Sequence, residues 1–142
     1  MSTPADVLAR KIVDYLRARE GTGEAWNIEV EDAREGYARI AMVVRKDMLN
    51  GHATCHGGMI FALADTAFAY ACNSRNVETV AQNATIAFLA PGREGDRLVA
   101  EAQEQAISGR SGVYQVIVTN QNGEKIAVFQ GLSRTLGGSV IN

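Results

Sequence analysis

The chain of 142 residues has few of the features that mark secreted, disulfide-linked or nucleic-acid-binding proteins. Its two cysteines, Cys55 and Cys72, are too few for a disulfide framework and are expected to remain thiols in the cytosol. The formal net charge is -2 and the pI is about 5.7, so no basic surface for nucleic acid is indicated. We therefore expect no nucleic-acid partner.

The sequence also lacks a hydrophobic run long enough to cross a membrane. Its most apolar run, Met59–Cys72, is shorter than a membrane span and contains Asp65, so a buried core helix fits it better. Charged residues between Asp6 and Asp14 interrupt the segment where the apolar region of a signal peptide would lie. The expectation is a soluble, cytoplasmic protein with no membrane partner.

What is present is the composition of an ordinary globular protein, with 46% hydrophobic and 21% charged residues. The length suits one domain, and the sequence contains no repeat, low-complexity tract or linker. We predict a single domain over residues 1–142, with an N-terminal helix in 1–21, a core in 22–136 and a tail in 137–142.

Local patterns predict the order of helices and strands. Thr3 as N-cap and Pro4 at the first helical position start a helix that Gly21 is expected to stop. A second helix, apolar on all sides, begins at Gly57 and ends near Asn73. Period-two and β-rich segments predict strands at 26–31, 37–44, 79–89, 97–106, 113–119 and 125–135.

This order predicts an α+β fold in which an antiparallel sheet of about five or six strands wraps around one long central helix. A single apolar helix between strands has to lie across a face of the sheet and be covered on most sides. Such a sheet leaves edge strands open, so we expect a homodimer with a continuous sheet.

Asp65 is out of place in the apolar helix. It is the only Asp, Glu, Lys or Arg between Asp47 and Arg75. An ionised carboxylate among apolar side chains is costly unless something compensates it. A solvent-facing position would be the simplest explanation, but the flanking residues offer no polar stripe for Asp65 to join. Asp65 is therefore a candidate catalytic group.

The segment just before this helix concentrates hydrogen-bonding groups: Asn50 and both histidines, His52 and His56. A helix start exposes unpaired N–H groups and a partial positive charge, and Gly57 and its neighbour Gly58 lack side chains that would block a substrate. This is an oxyanion-binding geometry, in which losing one donor costs about 3–4 kcal/mol of transition-state stabilisation.

Asp65 lies eight residues beyond Gly57, which is about 12 Å along a helix axis. Within one chain that distance is too long for the carboxylate and the Gly57 N–H to contact the same substrate group. Two chains that pack these helices side by side would bring them together, so we predict a composite site at a dimer interface. Asp65 would act there as a general base on water or as a nucleophile.

Simpler interpretations of the polar segment are available. His56 taken alone fits a structural cap, and Asn50 with Gly51 fits a turn. Together His52, Cys55 and His56 suggest a metal site, but they lack the paired spacing of zinc ligands, and we predict no metal. Cys55 is a weak nucleophile candidate because adjacent residues such as His56 rarely face each other.

Three segments carry a family resemblance: LNGHATCHGGMIFALADTAFAYACNS, FLAPGREGD and FQGLSRT. They resemble the phenylacetate-degradation branch of the hotdog-fold acyl-CoA thioesterases, over about residues 47–135. The resemblance implies a hotdog fold, a homodimer with shared active sites and usually a homotetramer. It implies hydrolysis of an acyl-CoA thioester to an acid and coenzyme A, with no cofactor, because coenzyme A is part of the substrate.

The resemblance also implies roles for single residues. Asp65 would be the nucleophile or general base. Gly57 would donate its N–H to the thioester oxygen, His56 would shape that turn, and Asn50 would help to position the carbonyl or the water from the other chain. Some relatives carry a Ser or Thr about eighteen residues after the Asp to orient the water; here that position is Asn83, which leaves the auxiliary role open.

Two Gly-rich turns match the pieces that contact coenzyme A in relatives. They are Ala90, Pro91, Gly92 and Arg93, and Gly109, Arg110, Ser111 and Gly112. Each carries an arginine, which suits phosphate binding. Without the resemblance, simple hairpin turns with solvated arginines would be the favoured explanation, and the resemblance makes the two explanations about equal.

The expected substrate is (hydroxy)phenylacetyl-CoA or a similar aryl or short acyl-CoA. Phe61, Phe68 and Tyr70 could line an acyl pocket, although core packing is the simpler role for them. A hotdog hydroxyacyl-thioester dehydratase, using His56 with Asp65, is the nearest alternative, but the Pro-rich stretch expected beside such a histidine is absent from the sequence. A non-catalytic acyl-CoA binding module is the third possibility.

Overall fold

The computed structural model describes residues 2–142. The α-helices are α1 (Pro4–Arg19), α2 (Gly21–Ala25) and α3 (Gly57–Asn73). The strands are β1 (Glu29–Arg34), β2 (Tyr37–Val43), β3 (Thr79–Phe88), β4 (Arg97–Ser108), β5 (Ser111–Thr119) and β6 (Lys125–Thr135). A short 3₁₀ turn, Lys46–Met48, lies between β2 and α3.

The six strands form one antiparallel sheet in the order β1-β2-β4-β5-β6-β3. Helix α3 packs across one face of it, against all six strands, and α1 packs on β1 and α3. This confirms the predicted α+β architecture of a sheet wrapped around one central helix.

The contact between α3 and the sheet is built from aromatic side chains and one glycine. Phe68 of α3 lies with its ring centroid 5.5 Å from that of Tyr114 and 5.8 Å from that of Phe129. A Cβ atom at Gly131 would lie 2.7 Å from the Phe68 ring. Glycine at this position of β6 therefore lets the helix lie close to the sheet.

The first helix begins as predicted. The Thr3 hydroxyl accepts a hydrogen bond from the Asp6 N–H at 3.1 Å, and the Asp6 carboxylate accepts one from the Thr3 N–H at 3.4 Å. This reciprocal pair is a capping box. The buried residues of α1 are Ala9, Ile12 and Val13.

The end of the first helix differs from the prediction. Helix α1 stops at Arg19, Glu20 is extended, and Gly21 opens the short helix α2 instead of ending α1. The Tyr70 hydroxyl donates a hydrogen bond to the Glu20 carboxylate. This contact with α3 gives the extended Glu20 a partner that the N-terminal sequence alone does not reveal.

The bounds of three predicted strands also shift by two or more residues. The first strand begins at Glu29, because Trp26 caps α2 and Asn27 adopts a positive φ of 52°. Strands β4 and β5 extend towards each other until Ser108 pairs with Ser111, which leaves a two-residue turn with Gly109 at a φ of 60°. That left-handed conformation suits glycine.

The two edges of the sheet differ. Strand β1 is covered by α1, whereas β3 has exposed residues along most of its length, with Val80 exposed by 44% and Phe88 by 52%. An uncovered edge of this kind is a natural pairing site for a second chain. The homodimer and the homotetramer stay predictions.

No α-helix within residues 2–142 combines the length and the hydrophobicity needed to cross a membrane. Both cysteines are free and buried, as the sequence predicts.

Candidate functional site

Asp65 lies on the least covered side of α3. Ala62, Asp65 and Ala69 are half-buried, whereas Leu63 and Phe68 are fully buried. Spacings of three and four residues place the first three on one side of a helix. The stripe they form faces away from the main core, so the carboxylate of Asp65 is on the side of α3 that the chain itself covers least.

Burial raises the pKa of the Asp65 carboxyl, and no other cause contributes. Among residues 2–142 no side chain or backbone group donates a hydrogen bond to the Asp65 carboxylate or forms an ion pair with it. A desolvated carboxylate without a partner is costly for folding. Such groups occur preferentially at functional sites.

His56 caps the start of α3. Its ring Nδ1 accepts a hydrogen bond from the Gly58 N–H at 3.1 Å, and its carbonyl accepts hydrogen bonds from the N–H groups of Met59 and Ile60. Since Nδ1 is an acceptor, the neutral ring carries its proton on Nε2. Within residues 2–142 the Gly57 N–H makes no hydrogen bond, so it is free to donate to a substrate.

Asn50 organises the loop that precedes the helix. Its Oδ1 accepts hydrogen bonds from the N–H groups of His52 at 2.9 Å and Thr54 at 3.2 Å. Its Nδ2 donates to the Thr54 hydroxyl at 3.0 Å, which leaves one amide proton for another partner. Thr54 is a residue that sequence reasoning missed, although a Thr four residues after an Asn in a polar loop is a recognisable signal of such a turn.

A cavity of about 440 Å³, here called the Gly57 cavity, opens at the start of α3. Its lining includes Asn50, Gly57, Ile60, Phe88, Ala90 and Pro91. Phe88 was not predicted as a site residue, yet its ring lies over Gly57, where a Cβ atom would be 3.0 Å from Phe88 Cζ. An exposed aromatic residue just before the Pro91 turn was the available signal.

The turn at residues 90–93 is fixed to the start of α3. The Cys55 N–H donates to the Gly92 carbonyl at 2.7 Å, and a Cβ atom at Gly92 would lie 3.1 Å from Cys55 Cβ. The Arg93 N–H donates to the Asp96 carboxylate at 2.9 Å, while the Arg93 side chain is exposed. Arg93 thus follows Pro91, a lining residue of the Gly57 cavity, by two positions and has an exposed side chain.

The second predicted turn lies at the opposite end of α3. A cavity of about 230 Å³, here called the Cys72 cavity, is lined there by Cys72, Val77, Ile107, Arg110, Gly112 and Tyr114, among others. Cys72 is fifteen residues beyond Gly57, about 22 Å along the helix. Within one chain, therefore, the turns at 90–93 and 109–112 are not brought together, and Asp65 lies between them.

Asn83 is not brought to the Asp65 side of α3. It pairs with Leu132, and its neighbour Ala84 pairs with Gly131, whose Cβ direction points at Phe68. Since successive residues of a strand face opposite sides of the sheet, Asn83 faces away from the helix in this chain.

The three aromatic residues considered for an acyl pocket belong to the core. Phe68 and Tyr70 are each exposed by 1%, and the Phe61 ring packs edge-on against Phe129 with centroids 5.4 Å apart. Their packing holds α3 on the sheet and leaves the acyl group to be placed elsewhere.

The described residues give no support to metal or thiolate chemistry. Within residues 2–142 no group of three or more His, Cys, Asp or Glu side chains is placed to hold a metal ion. Burial raises the pKa of the Cys55 thiol to about 11, so the thiol is a poor source of the reactive thiolate at neutral pH.

Comparison with known proteins identifies a family. The model of the thioesterase superfamily matches residues 52–127, just over half of the chain. The acyl-coenzyme A thioesterase PaaI of Escherichia coli K12 is 45% identical over 121 residues, which cover 85% of this chain and 86% of the relative.

Solved structures agree with this match. The E. coli PaaI protein from the phenylacetic acid degradation operon superposes with a TM-score of 0.93 at 41% identity, covering 95% of this chain and 98% of that one. The protein smu.793 of Streptococcus mutans, solved bound to acetyl CoA, gives a TM-score of 0.77 at 25% identity, with 80% and 91% covered.

Proposed function

The chain belongs to the thioesterase superfamily and has the hotdog fold, and we propose that it is an enzyme that hydrolyses acyl-CoA thioesters to a carboxylic acid and free coenzyme A. The resemblance predicted from the sequence is confirmed at the level of the family. A relative named as an acyl-coenzyme A thioesterase, 45% identical over most of both chains, supports the reaction. The proposed substrates are (hydroxy)phenylacetyl-CoA and similar aryl or short acyl-CoA esters.

The observation that carries the proposal is that α3 presents two separate groups suited to thioester hydrolysis. Asp65 offers a desolvated carboxylate without a partner, and the start of α3 offers a free N–H at Gly57. The two groups lie about 12 Å apart along the helix. Neither half can hydrolyse a thioester alone, so the site has to combine two copies of the chain.

A homodimer with antiparallel α3 helices would bring the halves together. The half-buried stripe on α3 and the open edge of β3 belong to adjacent elements and would be covered by a second chain together. In that arrangement Asp65 of one copy faces Gly57 of the other, and the turn at 90–93 approaches the turn at 109–112 of the second copy. A tetramer would pair two such dimers.

The proposed reaction uses these groups in order. The Gly57 N–H donates to the thioester carbonyl oxygen and stabilises the negative charge that develops there. The Asp65 carboxylate either takes a proton from water, which attacks the carbonyl carbon, or attacks that carbon itself. When water attacks, the protonated Asp65 returns its proton to the sulfur as the C–S bond breaks, and the acid and the coenzyme A thiol are released. When Asp65 attacks, breaking of the C–S bond leaves an acyl-Asp65 anhydride and the coenzyme A thiolate; water then hydrolyses the anhydride, which releases the acid, restores the Asp65 carboxylate and supplies the proton for the thiolate.

Other residues would position the substrate. The remaining Asn50 amide proton would meet the carbonyl oxygen or the attacking water, and His56 would keep the Gly57 turn in place. The exposed arginines Arg93 and Arg110 would meet coenzyme A phosphates. No further cofactor is required, and the proposed location is the cytoplasm.

The test is a thiol-release assay over aryl, short-chain and long-chain acyl-CoA substrates. Asp65→Asn should keep the fold and lower kcat by at least about 10³-fold, because the amide can neither attack nor take a proton. Asp14→Asn, which alters an exposed carboxylate paired with Arg10, is the matched control and should retain activity. Full activity of Asp65→Asn would refute the mechanism, and hydration of a crotonyl thioester without thiol release would favour the dehydratase.

A further inference from the structure

The chain just before α3 is held between two other pieces of backbone. On one side Cys55 pairs with Leu49 in an isolated antiparallel β-bridge. On the other side the Cys55 N–H donates to the Gly92 carbonyl at 2.7 Å. Gly57 follows Cys55 by only two residues, so the position of the helix start depends on where Gly92 lies.

Gly92 approaches the helix start closely because it has no side chain. It is buried, and a Cβ atom there would lie 3.1 Å from Cys55 Cβ and 3.6 Å from Leu98 Cδ1. Leu98 is itself fully buried in the core. The backbone at Gly92 is therefore packed directly against the chain before α3, and in a close-packed interior a shift of one is transmitted to the other.

Asp96 closes the turn that carries Gly92. Its Oδ2 accepts a hydrogen bond from the Arg93 N–H at 2.9 Å, and its own N–H donates to the Arg93 carbonyl at 3.0 Å. Its backbone carbonyl accepts a hydrogen bond from the Val44 N–H at 2.8 Å. Burial and then the negative charge of Asp96 raise the pKa of the Cys55 thiol to about 11, in agreement with an Asp96 carboxylate close to the chain before α3.

Gln121, in the turn between β5 and β6, holds Asp96 from the outside. Its Nε2 donates to Asp96 Oδ1 at 2.9 Å, and its Oε1 accepts a hydrogen bond from the Arg97 N–H at 3.1 Å. These two contacts are here called the Gln121 clamp. Both ends of one amide are used on consecutive residues, and the bond to the carboxylate is charge-assisted, so the clamp fixes the turn in one position.

We propose that Gln121 and Asp96 are positioning residues for the thioester oxygen contact. They hold Gly92 against Cys55 and thereby fix the direction in which the Gly57 N–H leaves the start of α3. This inference rests on the proposed function, since it takes that N–H as the group that meets the oxygen. Neither side chain touches the substrate, but a displacement of about 1 Å at a reacting centre can cost about 10²-fold in rate.

The first test removes the clamp. Gln121→Ala should lower kcat at least about fivefold and leave KM within about twofold of wild type, because the oxygen contact strengthens in the transition state. Asn122→Ala is the matched control, since Asn122 is the next residue of the same exposed turn and within residues 2–142 its side chain makes no hydrogen bond. The control should keep the wild-type kcat. Circular dichroism and melting temperature would verify that both variants fold.

A reciprocal exchange tests the geometry of the clamp. Gln121→Glu alone places two carboxylates against each other and should also lower kcat. Combined with Asp96→Asn it restores the contacts with donor and acceptor reversed: the amide introduced at position 96 donates to the carboxylate introduced at position 121, which still accepts from the Arg97 N–H. The double variant should recover at least about half of the wild-type kcat. A double variant as slow as Gln121→Glu would contradict the clamp.

The decisive measurement combines Gln121→Ala with Gly57→Pro, which lacks the N–H. If the clamp acts through that N–H, Gln121→Ala should cause no further loss of kcat in the Gly57→Pro protein. The same fractional loss in both backgrounds would show that Gln121 affects turnover by another route and would overturn the inference. An unchanged kcat in Gln121→Ala alone would overturn it as well.

Hydrogen exchange of the Cys55 N–H, followed by NMR, separates this inference from the proposed function. Exchange should be at least about threefold faster in Gln121→Ala and unchanged in Asn122→Ala. If the wild-type protein releases no thiol from any acyl-CoA, the proposed function fails, and the faster exchange still supports the clamp as the holder of the helix start. Unchanged exchange in Gln121→Ala overturns the inference whether or not the protein is a thioesterase.

Discussion

The two ends of α3 are built from different chemistry. The N-terminal end is polar and local: His56 and Asn50 hold backbone groups in place, and a free N–H points out of the helix start. The C-terminal end is apolar and assembled from distant strands, with Cys72 against Ile107 and Tyr114. One helix thus has a polar end and an apolar end, with Asp65 between them.

The difference explains why each end tolerates different changes. At the polar end a single hydrogen-bond donor decides the chemistry, so small substitutions should have large effects on turnover. At the apolar end the packing is shared among many contacts, so single substitutions there should have smaller effects on turnover.

At the polar end, removal of the Gly57 N–H should have the largest effect on turnover. Gly57→Pro does this at the first helical position, where proline is tolerated, and His56 at φ -59° and ψ 135° already has the backbone conformation favoured before proline. We expect kcat to fall about 10²- to 10³-fold. Thiol release measures it.

Gly57→Ala is the matched control because it adds the same Cβ near Phe88 but keeps the N–H. It should retain most of the activity, since the exposed Phe88 ring is free to move aside. Equal losses in both variants would mean that steric contact with Phe88, and not the missing donor, accounts for the effect.

The next effect concerns stability at the same end. His56→Ala removes the cap on the Gly58 N–H and should lower the free energy of unfolding by about 1 kcal/mol. Urea unfolding measures this, and His56→Asn, which provides another capping oxygen, should recover most of the loss. Unchanged stability in His56→Ala would show that the cap contributes nothing.

The smallest expected effect concerns the buried charge of Asp65, which lies between the two ends of α3. Burial raises the pKa of the Asp65 carboxyl, so the folded chain binds the proton more tightly than the unfolded chain. The free energy of unfolding therefore falls as the pH rises from the ordinary carboxyl pKa of about 4 through the raised pKa of the folded chain. Asp65→Asn removes this cost and should raise the melting temperature by a few degrees near neutral pH.

The gain in Asp65→Asn should shrink as the pH falls below the ordinary carboxyl range, because the wild-type carboxyl is then neutral in both states. A melting temperature of the variant below that of the wild-type protein at neutral pH would contradict the idea that the Asp65 charge is uncompensated.

The polar end could be predicted because its parts are neighbours in sequence. Within the segment from Asn50 to Gly58, Asn50 holds the loop and His56 caps the helix, and the bounds of α3 follow from its own glycines and its apolar run. The N-cap role of Thr3 could likewise be predicted, because its partner Asp6 is only three residues away. Local patterns suffice where the interacting groups are a few residues apart.

The apolar end could not be predicted for the opposite reason. Cys72, Ile107, Tyr114 and Ser133 come from four elements that meet only in the folded sheet. The same limit applies to Asn83: a bulge between Ala81 and Asn83 inserts a residue and changes which side chains face α3. The contact of Tyr70 with Glu20, fifty residues away, lies just beyond the end of α1 and is likewise invisible to local patterns.

The length of helix that separates Asp65 from Gly57 has an evolutionary consequence under the composite arrangement. After a gene duplication, one copy would be able to lose its carboxylate and the other its oxyanion turn, and a mixed dimer would still contain one complete site. Each gene would then be indispensable although neither product worked alone. A spacing of two helical turns thus predisposes this fold to become an obligate pair of unequal subunits.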